Sequence, residues 1–346
     1  MARIVVAGSG SVGACIAYHL ALLGARDVVL AERGRIASGS TGKAMGGVRQ
    51  QFSTAAEVRL AKESIAFFEE LGAEWFQQVG YLFVATTEDG LAELEERRVL
   101  QVELGVPAVR VDAGFVHGLR TDDVLGAVFC TTDGVADPPA LTREVVRRAV
   151  DLGVEVQEQT DARRLDSDVL VIAAGAYSGE FGVELPIRPL ARQLIETEPL
   201  ADLAPDLPMV IEAETGFHFR RRDDCLRIAM SDESPRWGFE ETVDETVFGD
   251  RLERLAHRYP PAAGTRVAHA WAGLYDMTPD AHPIIGPVGD GLYAACGFSG
   301  HGFMQSPAVG RAVAEELLLG ESSLDLTPYR LARFAEDTAF PEQLVL

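Results

Sequence analysis

The chain is poor in lysine. Lys43 and Lys62 are its only two, against 29 arginines, so chemistry that needs a lysine has to use one of these. A GC-rich, salt-adapted or heat-adapted source would each produce such a bias, and composition does not choose among them. Cysteine is scarce as well. Cys15, Cys130, Cys225 and Cys296 stand singly, without C-x-x-C spacing, which argues against a zinc site and a disulfide framework and leaves them as small core residues. Long apolar runs are missing: none reaches the roughly 18 to 20 residues that span a bilayer. The N-terminal MARIVVAGSG breaks at Gly8 before it becomes the apolar core of a secretory signal. A cytoplasmic location without membrane insertion is expected. Positive charge is in deficit, with 31 basic against 53 acidic residues and a net charge of −22 spread along the chain. That balance disfavours nucleic acid and anionic membrane as partners.

What is present is a globular chain of 346 residues, 47% of them hydrophobic, large enough to bury a core and to divide into two domains. RIVVAGSGSVGACIAYHLALLG reads as strand, tight turn and helix, with Gly8, Gly10 and Gly13 in G-x-G-x-x-G spacing. Such glycines let a pyrophosphate approach the backbone and let the helix pack close, while the helix N-terminus supplies unpaired N–H groups. The next strand, DVVLAERG, ends in Glu32, an acidic residue placed to hold the ribose hydroxyls of an adenine dinucleotide.

Two further strands, DVLVIAAG and GLYAACG, also end in small residues, where a ligand crossing the carboxyl edge of a parallel sheet needs room. Three such ends imply one long ligand. Because the glycine-rich features lie at both ends of the chain, the distribution favours FAD, around which a chain returns repeatedly. Between these segments, residues 80–87, 126–134, 208–222 and 224–232 are short, β-rich and turn-punctuated, as expected of an antiparallel sheet. Residues 55–72 and 140–153 carry helical patterns, the second leading into VEVQ as a βαβ crossover would.

The combination AGSGSVG, ERG, STGKAMGGVRQQF, AAGAYS, WAGLYDMTPDAHPIIGP and GFSGHGFMQSPAVG resembles the D-amino-acid-oxidase-like (DAO) family of FAD-dependent amine oxidoreductases. Within it the sarcosine oxidases, their β subunits and the β subunits of dye-linked L-proline dehydrogenases are the most similar. The resemblance implies an α/β chain, with a Rossmann-like FAD-binding domain over 1–78, 134–183 and 271–346. An inserted antiparallel β substrate-binding domain (α+β) would occupy 79–133 and 184–270. It also implies the reaction, hydride transfer from the carbon beside the nitrogen of a small amino or N-alkyl amino acid to flavin N5, giving an imine that water hydrolyses. The resemblance leaves the electron acceptor as dioxygen or another oxidant, and it leaves room for a homo-oligomer or a partner subunit without fixing the oligomeric state. Two other readings stand beside this one: a flavin-bearing subunit of a dye-linked complex with little activity alone, and an NAD-dependent dehydrogenase.

Carried over by position, Gly8, Gly10, Ser11, Val12, Gly13, Glu32 and Arg33 match the ADP-binding part, and Ser40, Thr41, Lys43, Met45, Gly46 and Gly47 the loop beside the flavin ring. Ala162 and the strand end Ala173, Ala174, Gly175 and Tyr177 join them. Gly273, Leu274 and Tyr275 match the segment where monomeric sarcosine oxidases attach the flavin through a cysteine. Glycine at that position implies noncovalent FAD. Phe298, Gly300, His301, Gly302, Phe303 and Met304 form the C-terminal glycine-rich loop.

Arg49 falls where the family places the arginine that binds the substrate carboxylate, a partner suited to a guanidinium fork. Tyr275 would line the same pocket, and His218 is either a pocket residue or a structural one. Met304 occupies the position of a carboxylate-holding lysine, and Arg227 that of an oxygen-activating lysine. In the loop itself, Ser306 reads as the N-cap and Pro307 as the first-turn proline of a helix ending near Gly320. That would aim the helix N-terminus at the flavin, with His301 as a flavin-side contact and neither a base nor a metal ligand.

Overall fold

The computed structural model describes residues 2–201, 203–342 and 345. A six-stranded sheet runs in the order Ile284–Gly289, Leu292–Cys296, Val169–Ile172, Ile4–Ala7, Val28–Ala31 and Glu155–Gln157. All its pairings are parallel except the edge hairpin of the first two strands. The central strands IVVA and VVLA are buried at every position, as strands covered on both faces must be. The helices Ser11–Leu22, Pro138–Asp151 and Gly302–Leu319 cover one face, and Ala162, Leu165 and Phe181 pack on the other. The three strand ends stripped to small residues are adjacent here, so the sequence pattern becomes one continuous edge.

A nine-stranded sheet holds Tyr81–Ala85, Ala108–Val111, Gly126–Cys130, Arg188–Thr197, Met209–Glu212, His218–Arg222, Cys225–Ala229, Arg236–Trp237 and Val267–Met277. It departs from the purely antiparallel expectation at one place, where Met209–Glu212 runs parallel to Tyr81–Ala85 and joins the two chain segments. Val267–Met277 pairs with Arg188–Thr197 along its length, so a domain break at 271 would fall inside a strand of this sheet. A three-stranded sheet of Gly47–Val48, Gly134–Ala136 and Phe76–Gln77 lies apart from both.

The helix expected over 55–72 spans Ala55–Leu71, its first turn capped by the Thr54 side chain. The one expected over 140–153 starts earlier, at Pro138, because Asp137 accepts from the Ala140 N–H at 2.9 Å and the prolines fill the first positions. A further helix, the charged Glu88–Glu103, carries no apolar stripe strong enough to announce itself in the sequence. Cys15, Cys130 and Cys296 are buried, but Cys225 is only half-buried, a correction to its reading as core. Among the described residues no helix is long and apolar enough to cross a membrane.

The C-terminal helix corrects the sequence reading most. It begins at Gly302, follows His301 and contains Pro307 internally. Proline has no N–H for the carbonyl four residues back, which is that of Phe303. The Ser306 hydroxyl donates to that same carbonyl at 2.8 Å, so the helix passes through Pro307 without leaving a buried acceptor unpaired. Ser306 is therefore not the cap but the substitute donor.

Candidate active site

One cavity of about 490 Å³ runs between the parallel sheet edge and the nine-stranded sheet. Every expected site residue except Gly13 and Arg227 lies on its wall. Gly13 acts from behind: a Cβ there would fall 1.9 Å from the Gly8 carbonyl oxygen, so glycine is what lets the helix reach the strand. Gly8 itself has φ +102°, and a Cβ would meet the Ala173 carbonyl at 2.4 Å.

At this end the helix Ser11–Leu22 opens on the cavity with no side chain capping it through its N-cap Gly10. Glu32 is fixed, taking the Ser9 N–H at 2.9 Å and the Gly34 N–H at 2.6 Å. Arg33 lies 4.7 Å over the Tyr177 ring and pairs with Glu180 at 2.9 Å. A helix N-terminus on the cavity wall, with the Ser11 N–H taken by the Thr41 hydroxyl at 3.1 Å, close backbone and an oriented carboxylate fit the diphosphate and ribose of a dinucleotide.

The loop from Ser40 to Gly47 is pinned at several points. The Ser40 hydroxyl donates to the Leu274 carbonyl at 2.7 Å, the Trp271 indole to that of Lys43 at 3.0 Å, and Arg220 to that of Met45 at 2.7 Å. Lys43 also pairs with Glu241. On the far wall, the first turn of the helix Gly302–Leu319 opens on the same cavity, again without a side-chain cap. Its N–H groups and positive dipole end suit a group that gains negative charge. Gly273 faces Lys43, with 2.9 Å from its would-be Cβ to the Lys43 Cβ.

Arg49 is buried, at 1% exposure. It donates to the Gln51 carbonyl, lies 4.0 Å over the Phe52 ring, and brings Nη2 within 3.4 Å of His301 Nε2. A guanidinium only donates, so in this contact the histidine nitrogen is the acceptor. Burial lowers the Arg49 pKa.

Beneath it Asp133, fully buried, accepts from the Gln50 N–H at 2.9 Å and from the Gln51 amide at 3.0 Å. It holds the turn from which Arg49 projects, and burial pushes its own pKa up to about 6. His218 donates Nδ1–H to the Gly216 carbonyl at 2.8 Å. Burial, reinforced by the Arg49 and Arg192 charges, pushes its pKa down to about 4, so the neutral ring offers Nε2 as an acceptor. Tyr275 packs on Gly300, whose Cβ would fall 2.3 Å from the ring, and burial raises its pKa. Met304 lies between the core under the parallel sheet and the one around Tyr81.

Arg227 is the expected site residue that the fold takes elsewhere. It pairs with Glu196, its cross-strand neighbour, at 2.8 Å, and its guanidinium lies 5.1 Å over Trp271. Several wall residues escaped the sequence reading: Tyr81, whose hydroxyl fills the space left by Gly47; Arg192; Met209; and Asp276, which accepts from the Gly297 N–H at 2.7 Å. For Arg192 a signal existed, an arginine on the apolar face of the alternating run Leu190, Arg192, Leu194.

The family model for FAD-dependent oxidoreductases (DAO) matches residues 3–316. Sarcosine dehydrogenase of Mus musculus is 25% identical, with 96% of this chain and 41% of that one aligned. FAD-dependent oxidoreductase domain-containing protein 1 of Xenopus laevis is 29% identical over 96% of this chain and 82% of that one. The chain thus spans less than half the length of the first relative and most of the second. Among solved structures, L-proline dehydrogenase from P. horikoshii superposes with a TM-score of 0.89 at 27% identity, covering 97% of this chain and 98% of that one. Glycine oxidase from Geobacillus kaustophilus shares the fold, with a TM-score of 0.84 at 24% identity over 96% and 99% of the two chains.

Proposed function

The chain belongs to the DAO family of FAD-dependent oxidoreductases, and from that premise we propose that it oxidises a small amino acid or N-alkyl amino acid of sarcosine, proline or glycine type. The observation that carries this reading is Arg49, a buried guanidinium on the cavity wall beside Phe52, Tyr275 and His218. Bound FAD supplies the acceptor for a hydride leaving the carbon next to the substrate nitrogen, and the resulting imine is hydrolysed by water. Gly8, Gly10, Glu32 and the first turn of the Ser11–Leu22 helix hold its ADP part. The Ser40–Gly47 loop and the Gly300–Met304 turn hold its ring system, without a covalent bond at Gly273.

Arg49 fixes the substrate carboxylate through charge-assisted hydrogen bonds. The Tyr275 phenol lines the pocket as a donor, and His218 Nε2 accepts from the substrate amine. The apolar surroundings favour the neutral amine that hydride loss requires. The relatives and solved structures named for sarcosine, glycine and proline support this substrate class.

The Arg227 ion pair favours a second reading, on the acceptor. A guanidinium held by Glu196 and Trp271 leaves this strand without a mobile cation to stabilise developing superoxide, so an oxidant other than dioxygen takes the electrons. The test is anaerobic bleaching of the flavin absorbance by a panel of D-, L- and N-methyl amino acids, followed by peroxide measurement in air. Arg49→Ala should weaken substrate binding roughly 100-fold. Unchanged affinity in that variant would remove the carboxylate-anchor assignment, and rapid peroxide release would remove the second reading.

A further inference from the structure

Arg49 shares the cavity wall with a second guanidinium, Arg192, that the proposed function does not use. Arg192 sits opposite Gly273 in the pairing of Arg188–Thr197 with Val267–Met277. Its guanidinium carbon lies 5.7 Å from the centre of the Tyr275 ring. His218 and Tyr275 both feel the charges of Arg49 and Arg192, so the two arginines bracket the same small space.

Among the described residues, three of the eight arginines on strands of this sheet pair with a carboxylate. Arg222 has Asp137 at 2.6 Å, Arg227 has Glu196 at 2.8 Å and Arg236 has Asp232 at 3.2 Å. Among the described residues Arg192 pairs with no carboxylate, and its buried Nε has no hydrogen-bond partner. The acids that share the cavity wall are engaged elsewhere: Glu32 with Ser9 and Gly34, Asp161 with Arg163, Glu180 with Arg33, and Asp276 with Gly297. A guanidinium left partly desolvated without an anion is costly, and a ligand anion would offset that cost.

We propose that Arg192 is a second carboxylate-binding group and that the preferred substrate is a dicarboxylic amino or imino acid. One carboxylate sits on Arg49 and the other on Arg192, with the nitrogen-bearing carbon between them. This rests on the reading of Arg49 as carboxylate anchor and adds the substrate class. A monocarboxylate leaves one cation of the pair uncompensated, whereas a dicarboxylate neutralises both.

The test needs no turnover. The FAD-loaded protein is titrated with succinate and glutarate, and with propionate and butyrate, following the perturbed flavin spectrum and the heat of binding. The dicarboxylates should bind at least about tenfold more tightly than the monocarboxylates. Arg192→Ala should erase that preference, leaving the monocarboxylate affinities within about threefold of the parent, and Arg192→Lys should restore part of it. Equal affinities for the two kinds of acid in the parent protein would overturn the proposal whether or not the variants fold, as would an equal loss for both kinds in Arg192→Ala. Failure of the Arg49 reading looks different: Arg49→Ala would then leave both affinities unchanged, whereas failure of the Arg192 proposal alone leaves both acids dependent on Arg49.

Discussion

The proline inside the C-terminal helix gives the sharpest test of the structure. Ser306, 1% exposed, donates its hydroxyl to the Phe303 carbonyl at 2.8 Å, standing in for the N–H that Pro307 lacks. In Ser306→Ala that carbonyl, on the buried residue Phe303, has neither a backbone nor a side-chain donor. A buried acceptor left unpaired costs about 1–3 kcal/mol. In Pro307→Ala the backbone supplies an N–H to the same carbonyl, so the serine hydroxyl becomes redundant. Removing it in that background should cost only about 0.5 kcal/mol, giving a double-mutant coupling of roughly 1–2 kcal/mol. With an unfolding entropy of about 2.1 cal/mol/K per residue, the 346-residue chain unfolds with about 0.7 kcal/mol/K. Ser306→Ala alone should therefore lower Tm by roughly 1.5–4 °C.

The assay is thermal melting of the parent, both single variants and the double variant, all loaded with cofactor. An equal Tm loss from Ser306→Ala in the parent and in the Pro307→Ala background would refute the reasoning, because the serine would then contribute by packing alone. Since Gly302, Phe303 and Met304 line the cavity, the same loosening should show as faster loss of flavin from Ser306→Ala than from the double variant.

Three further outcomes follow from other parts of the site. Asp133→Asn turns an amide donor toward Gln50 or Gln51 and removes charge-assisted bonds worth roughly 1.5–3 kcal/mol each; substrate affinity should fall about tenfold as the Arg49 turn loosens, measured by anaerobic titration. Gly300→Ala, at φ +95° and 2.3 Å from the Tyr275 ring, combines about 1–2 kcal/mol of left-handed strain with about 1–3 kcal/mol of overpacking. Gly24→Ala, at the same φ with nothing within 4 Å, should show the strain alone, and equal Tm losses in the two would contradict the packing. For His218, folding lowers the pKa to about 4, so between its unfolded value and that one the unfolded state binds more protons and stability falls as pH falls. At about 1.36 kcal/mol per pH unit, moving from pH 7.5 to 5 should cost the parent roughly 2 kcal/mol more than His218→Gln. Parallel Tm-against-pH curves would count against a buried neutral imidazole.

The sequence was most legible where backbone geometry decides the residue. Gly8, Gly13 and the small strand end at Ala173 are demanded by close approach, and Ala295 lies on the same cavity wall, so the cofactor edge could be read from spacing alone. The amino-acid end is written differently. Tyr81 and Asp276 sit on ordinary strands whose local pattern is strand and nothing more, and only the pairing of distant segments turns them inward; Arg192 leaves a local trace only as an arginine on an apolar strand face. Arg227 was misplaced for the same reason. Alignment by position puts a cation on the right strand, but its cross-strand partner Glu196 decides where it points. Pro307 misled because a local rule, proline in the first turn, competed with a local exception that Ser306 makes possible.

The shortage of lysine, met first as a compositional fact, bears on the chemistry. The cations at the amino-acid end are guanidiniums, which stay charged wherever an enzyme works. Tyr275 and His218 are neutral through that range because burial raises one pKa and lowers the other. Asp276, held up near 6 by burial, is committed to the Gly297 N–H. The pocket therefore presents two guanidiniums, a donor and an acceptor, and on the proposed reaction the proton still to be removed is the one on the substrate nitrogen. Low dielectric and like charge both disfavour an ammonium there, while the same charges hold carboxylates. On the proposed reaction, the free amine that hydride loss requires is thus selected by the field of the pocket, with no residue proposed as a base.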